Sequence, residues 1–162
     1  MTTKTINQTT IEVDPNLPTI RTVREFDATP DKVYRAFTDP ELVAKWLGPR
    51  EYPVKIDAWD ARTGGNYRYS GKNAGQDEPG FYGSFHELRE NERIVQTFSY
   101  DGIPDGVCLE TMTFTELPGG RTQLVSLSVL DSIEGRDGLV ASGMETGVVE
   151  GYDQLDGLLT SR

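Results

Sequence analysis

Residues 132–159, SIEGRDGLVASGMETGVVEGYDQLDGLL, constrain the fold more than any other stretch of the chain. Val140, Met144, Val148, Tyr152, Leu155 and Leu159 recur at spacings of four and three, which makes one apolar stripe on a helical period. Ser132 is a suitable N-cap. Glu134 and Asp137 place negative charge near the first turn, where the helix dipole favours it. The pattern predicts one long C-terminal helix over 132–159. At about 1.5 Å per residue it is long enough to lie across a whole sheet, and its stripe has to be buried against one.

Glycine is the anomaly in this stretch. Gly135, Gly138, Gly143, Gly147, Gly151 and Gly157 all fall inside it, and each costs about 1 kcal/mol relative to alanine in a helix interior. Gly143, Gly147 and Gly151 stand four residues apart and form a smooth track beside the apolar stripe. Such a track leaves room for a ligand or lets the helix approach a sheet closely, and close packing on a sheet is the plainer reading. It suits a helix–helix contact equally well, so a homodimer is an open alternative.

The preceding residues supply the sheet. Residues 1–9 are polar and Thr-rich and read as a flexible tail, and 10–162 read as a single domain. Residues 10–28 favour one long extended segment, broken near Pro15 and Pro18. Thr29-Pro30-Asp31 and Asp39-Pro40-Glu41 each combine a cap, a proline and an acid, so two short helices follow. Gly48-Pro49 ends the second. Strands are expected over 52–60, 66–70, 81–88, 93–100, 107–117 and 121–130, joined by Gly-rich and polar turns. The fold class is therefore α+β: an antiparallel sheet of about seven strands around the terminal helix, with two short helices after the first strand. The polar loop 71–80, GKNAGQDEPG, is a candidate lid.

Strand alternation then selects the side chains that face the helix. Tyr67 and Tyr69 share a face, as do Phe81 and Phe85, Phe98 and Tyr100, and Met112 and Phe114. A sheet wrapped round a helix leaves a cavity wherever side chains do not fill it. The candidate ligand-binding residues are Trp46 near the mouth, Trp59 and, on the sheet side, Tyr67, Tyr69, Phe81, Phe85, Phe98, Glu110, Met112 and Phe114. Met144, Val148 and Tyr152 form the helix wall. For each of them singly, a filled core is the plainer reading. Glu110 shares parity with Met112 and Phe114, and facing inward it would be a carboxyl of raised pKa. A strand-end carboxylate in solvent is the preferred reading for it.

Little else suggests chemistry. His86 is the only histidine, and alternation puts it opposite Phe85, on the outer face. One cysteine, Cys108, excludes an intrachain disulfide and reads as a buried core residue. One His and one Cys cannot build an ordinary zinc site. Asp60 and Arg62 flank the Gly64-Gly65 turn and are expected to pair. No nucleophile elbow, phosphate loop, dinucleotide fingerprint or HExxH motif occurs, so no catalytic residue, metal or cofactor is expected. A net charge of −10 disfavours nucleic acid and anionic membrane surfaces. The N-terminus lacks an apolar leader and no run is apolar enough to insert in a membrane, so cytoplasm is the expected compartment.

Six stretches taken together in order carry a resemblance: REFDATPDKVYRAFTDPELVAKWLGPR, DARTGGNYRYS, FYGSFHEL, RIVQTF, ETMTFTEL and RDGLVASGMETGVVEGYDQLDGLL. The chain resembles the START-related helix-grip proteins (the SRPBCC superfamily), and within them the group named after the activator of the heat-shock protein 90 ATPase. The resemblance implies a seven-stranded antiparallel sheet gripping the C-terminal helix. It also implies a hydrophobic cavity that binds lipids, polyketides or other apolar molecules in many relatives. Relatives include binders, cyclases and co-chaperone domains, so fold does not settle function. Non-catalytic binding of a small hydrophobic molecule is the leading expectation. The alternatives are a polyketide cyclase/dehydratase-like enzyme, with tyrosines or Glu110 moving protons, and a chaperone-interacting, stress-related domain. The eukaryotic activator carries a further N-terminal domain without a counterpart in these 162 residues, which counts against the last.

Overall fold

The computed structural model describes residues 2–6, 8–75 and 77–161. Nine strands and four helices occur among them, in the order β1 (Thr2–Ile6), β2 (Thr9–Val13), β3 (Thr19–Phe26), α1 (Pro30–Thr38), α2 (Pro40–Trp46), β4 (Val54–Trp59), β5 (Asn66–Gly71), β6 (Phe81–Arg89), β7 (Arg93–Tyr100), β8 (Ile103–Leu117), β9 (Arg121–Val129), α3 (Ile133–Ala141) and α4 (Met144–Thr160). All strands lie in one antiparallel sheet ordered β1-β2-β3-β9-β8-β7-β6-β5-β4. Bulges interrupt the ladders at Ile56/Ala58, Phe85/Glu87 and Phe98/Tyr100 and bend the strands there.

The α+β helix-grip architecture is as expected, with nine strands in place of about seven. The extra strands come from the N-terminus. Part of the expected tail is the edge strand β1, which pairs with β2 from Thr2↔Val13 to Ile6↔Thr9. The long first segment is two strands, because Asp14 turns the chain: its Oδ1 accepts from the backbone N–H groups of Asn16 and Leu17. That also holds the Asp14 carboxyl below the usual carboxylate range.

The terminal helix is two helices, not one. Ser132 caps α3 as expected, its Oγ accepting from Gly135 N–H at 2.9 Å. The helix stops at Ser142, and Gly143 turns left-handed at φ +88° before α4 begins. A residue with a Cβ is strained in that conformation, so glycine makes the break affordable. A single buried side chain fastens α3 to the sheet: Arg136 Nη1 donates to the carbonyls of Asp14 and Leu17, both at 2.8 Å, and Thr19 at 3.1 Å.

Gly147 and Gly151 of the glycine track face the end of α2, not the sheet. A Cβ at Gly151 would stand 3.3 Å from the Trp46 carbonyl oxygen, and one at Gly147 would stand 3.7 Å from Pro49 Cδ. The track seats α4 against the end of α2, where Gln154 Nε2 also donates to the carbonyls of Trp46 and Gly48. The stripe does face inward through Tyr152 and Leu155. Among the described residues two clusters form the core. The larger lies between the sheet, α1, α2 and α4, around Phe26, Phe37, Phe85, Phe114, Leu124 and Leu155. The smaller lies under α3 and the start of α4, around Ile11, Ile20 and Val149. Between them Arg24, buried on the inner face of β3, pairs with Asp153 of α4 at 2.9 Å and donates to Thr9 Oγ1.

Candidate functional site

The two tryptophans belong to the scaffold. Trp46 is 4% exposed, and its Nε1 donates to the Ala36 carbonyl at 2.8 Å. Its ring lies 4.7 Å from that of Phe37, so it locks α2 onto α1 and does not stand at a mouth, as the sequence suggested. Trp59 Nε1 donates to the Thr38 carbonyl at 2.9 Å, and its ring packs on Tyr67 and Phe85. Both indole N–H groups are satisfied by backbone, which fixes the two short helices against the end of the sheet.

Inside that frame the inner half of the expected cavity is filled. Tyr67, Phe85, Met112, Phe114 and Tyr152 are all buried in the main cluster, with Val148 packed at its edge. Met144 packs elsewhere, with Ile11, Ile20 and Val149. The outer half is different. Tyr69, Phe81 and Phe98 are only partly buried, and their rings run across β5, β6 and β7 as nearly parallel tiles. Tyr67 to Tyr69 is 6.2 Å between centroids at 12°, Tyr69 to Phe81 is 5.1 Å at 22°, and Phe81 to Phe98 is 5.5 Å at 17°. Tyr100 borders the wall, 5.0 Å from Phe81. The helix α4 packs most closely on β2, β3, α1 and α2, which leaves this aromatic flank of the sheet less covered.

A polar group interrupts the wall. Glu110 is half-buried in the middle of β8, paired with Gln96 on β7, and is not a strand-end residue in solvent. Gln96 Nε2 donates to Glu110 Oε1 at 3.0 Å and lies 3.5 Å from the Tyr67 hydroxyl. Burial raises the Glu110 pKa above its ordinary value, and the Gln96 bond opposes that only in part. Burial first and the Glu110 charge second push up the phenols of Tyr67, Tyr69 and Tyr152, and push the buried Cys108 thiol up to about 12. The three phenols and the thiol therefore stay protonated, each raised further by the Glu110 charge.

Gly83 makes this arrangement sterically possible. The ladder between β6 and β7 opens beside it, and the Tyr67 hydroxyl donates to the freed Thr97 carbonyl at 2.6 Å. A Cβ on Gly83 would lie 1.9 Å from that carbonyl oxygen and 2.7 Å from the Tyr67 hydroxyl. Ser84 N–H turns instead to Thr97 Oγ1 at 2.9 Å.

The structure thus brings Tyr67, Tyr69, Phe81, Phe85, Phe98, Glu110, Met112 and Tyr152 to one region. It assigns Trp46 and Trp59 to the frame and Met144 to the other cluster. Gln96 was missed, although alternation from Ile94 and Phe98 places it on the inner face; Tyr100 was placed on that face with Phe98 but not counted among the ligand-binding residues. His86 is exposed on the outer face, Cys108 is buried, and Asp60 pairs with Arg62 at 2.9 Å, each as expected. The candidate lid 71–80 includes residue 76, outside the described residues. Its base is tied down by Arg68 and Asp101, whose carboxylate also accepts from Gly80 N–H. Those bonds, Arg68 first, hold the Asp101 carboxyl below its ordinary value.

Two hollows on the described surface lie away from this wall. One, about 400 Å³, runs between α2 and β4 past Glu41, Ala44, Ile56 and Asp57. The other, about 290 Å³, lies between β1 and α4 beside Lys4, Glu145 and Val149. The first is wide open to solvent and the second is crossed by the Lys4–Glu145 ion pair. Neither combines apolar walls with convergent polar groups as the aromatic flank does. Among the described residues no helix is long and apolar enough to cross a membrane.

Comparison with known proteins follows the same lines. The family model for activator of Hsp90 ATPase homolog 1-like proteins matches residues 27–160. A crystal structure of a Chromobacterium violaceum protein is 32% identical, covers 90% of this chain and 99% of its own, and superposes with a TM-score of 0.73. One from Rhodobacter sphaeroides is 28% identical, with coverages of 92% and 97% and a TM-score of 0.79. DynU16, a protein in the dynemicin biosynthetic locus, shares the fold at 22% identity and a TM-score of 0.68, over 89% of this chain and 48% of its own. No curated protein matches the sequence.

Proposed function

The chain belongs to the activator of Hsp90 ATPase homolog 1-like family, and from that premise we propose that it binds a small, largely apolar molecule along the inner flank of β5–β8, beside α4. The observation that carries this reading is the tiled wall of Tyr69, Phe81 and Phe98, partly exposed on the inner face of the sheet, with Glu110 beside it. Apolar rings left partly exposed while their neighbours are fully packed are surface that a ligand would cover. The filled inner half sets the depth, so the ligand lies along the wall and does not thread the core. The place of DynU16 in a biosynthetic locus fits a small-molecule role.

A second reading has one specific observation in its favour. Glu110, set among three phenols, could pass a proton to or from a bound chain, as a cyclase-like enzyme would require. The chaperone-interacting reading rests on the family's description alone.

Native mass spectrometry of protein purified from its own host, followed by displacement of bound Nile red, tests the binding reading. Co-purified small molecules, or saturable Nile red binding, are expected. Repeated preparations that carry nothing, together with a flat displacement assay, contradict it.

A further inference from the structure

The wall contains one feature that an unselective apolar surface would not need. Glu110 stands on the inner face of β8 with its Oε1 bonded to Gln96 and its Oε2 taking no hydrogen bond from any described residue. Beside it, the hydroxyls of Tyr69 and Tyr152 donate to no described residue, whereas the hydroxyl of Tyr67 is spent on the Thr97 carbonyl. Half-burying a carboxyl group among aromatic rings is unfavourable unless its acceptor sites are used.

We propose that Glu110 is a specificity-determining residue of this flank, selecting a flat aromatic ligand whose ring carries a hydroxyl group. This rests on the binding reading above and adds the chemistry of the ligand. The ring lies against Tyr69, Phe81 and Phe98, whose near-parallel planes offer a flat surface, not an edge. The hydroxyl donates to Glu110 Oε2 and accepts from the Tyr69 or Tyr152 phenol. A hydroxyl meets both demands, while an ammonium group can only donate. A ligand without the hydroxyl leaves the carboxyl group covered and unpaired, so it is rejected by far more than its own small loss of contact.

Isothermal titration of the full chain with 2-naphthol and with 2-methylnaphthalene tests this, since the two share size and shape and differ in the donor. Binding of 2-naphthol is expected to be about tenfold tighter or more. Glu110→Leu abolishes that preference. Glu110→Gln, which keeps the shape and an acceptor oxygen, falls between, and it serves should the leucine variant fail to fold. Equal affinities in the natural sequence, or a preference unchanged in the variants, overturn the inference and leave the binding reading standing. Tighter binding of 2-naphthylmethylamine than of 2-naphthol overturns the assignment of a hydroxyl. Failure of all three molecules to bind overturns the binding reading and the inference with it.

Discussion

Gln96 and Glu110 face each other across β7 and β8, and the glutamine amide donates to the carboxyl group at 3.0 Å. This bond is the only described one that Glu110 receives. It offsets part of the desolvation that raises the Glu110 pKa, so the carboxyl group keeps its proton to higher pH in the folded protein than in the unfolded chain.

A stability profile follows from that shift. Between the ordinary glutamate value and the raised folded value, the folded state binds more protons than the unfolded state. Stability falls as pH rises through that window. Glu110→Gln removes the effect. Its advantage over the natural sequence is absent below the window, grows across it and is constant above it. Urea denaturation at a series of pH values measures the difference, and an advantage that shrinks with rising pH would refute the assignment.

Gly83→Ala sets a methyl group against the Thr97 carbonyl oxygen at 1.9 Å. Backbone on both sides has to move, and the loss is about 3 kcal/mol. Removing the Tyr67 hydroxyl in a Gly83→Ala/Tyr67→Phe double variant does not restore stability, because the backbone contact remains. Denaturant midpoints of the two variants decide the point.

Arg24 and Asp153 join β3 to α4 through a partly buried ion pair. Asp153→Ala removes this partner and costs about 2 to 3 kcal/mol. Asp156, 3.8 Å from the guanidinium, moderates the loss. Arg24→Met combined with Asp153→Leu recovers most of it, since an apolar pair of that volume suits the same position. Thermal unfolding of the single and double variants tests the order.

Arg136 fastens α3 by three carbonyl bonds, and little else of that helix is buried. Arg136→Ala costs about 2 kcal/mol and frees α3 before α4. Hydrogen exchange shows protection lost over 133–141 while 144–160 stays protected. Equal loss in both helices would mean that they open as one unit.

Much of the architecture was legible because periodicity and turn chemistry agree along the chain. Ser132, Asp39 and the Gly48-Pro49 stop did locally what their residue types dictate, and the inward rings from Tyr67 to Phe114 followed from alternation. The break at Gly143 was not legible, since a glycine at helical spacing looks the same in a helix and between two. The conformation that reveals it, φ +88°, is backbone information. Trp46 was misplaced because its apolarity says nothing of the Ala36 carbonyl that holds its indole. Glu110 was read as exposed because one carboxylate among apolar neighbours is usually solvated. Its partner Gln96 lies fourteen residues away across a hairpin and could be found only by pairing the strands. The glycine track was legible as a contact but not as a contact with Trp46 and Pro49, which depends on how α2 docks.

The central claim is that the flank of Tyr69, Phe81, Phe98 and Glu110 is where this protein takes its ligand. Backbone amide chemical shifts recorded while 2-naphthol is titrated into the full chain test it most directly. The account predicts saturable shifts concentrated at Tyr69, Phe81, Gln96, Phe98, Glu110 and Val148. Shifts concentrated instead along Glu41, Ala44, Ile56 and Asp57, in the hollow between α2 and β4, or no shifts anywhere, would contradict it.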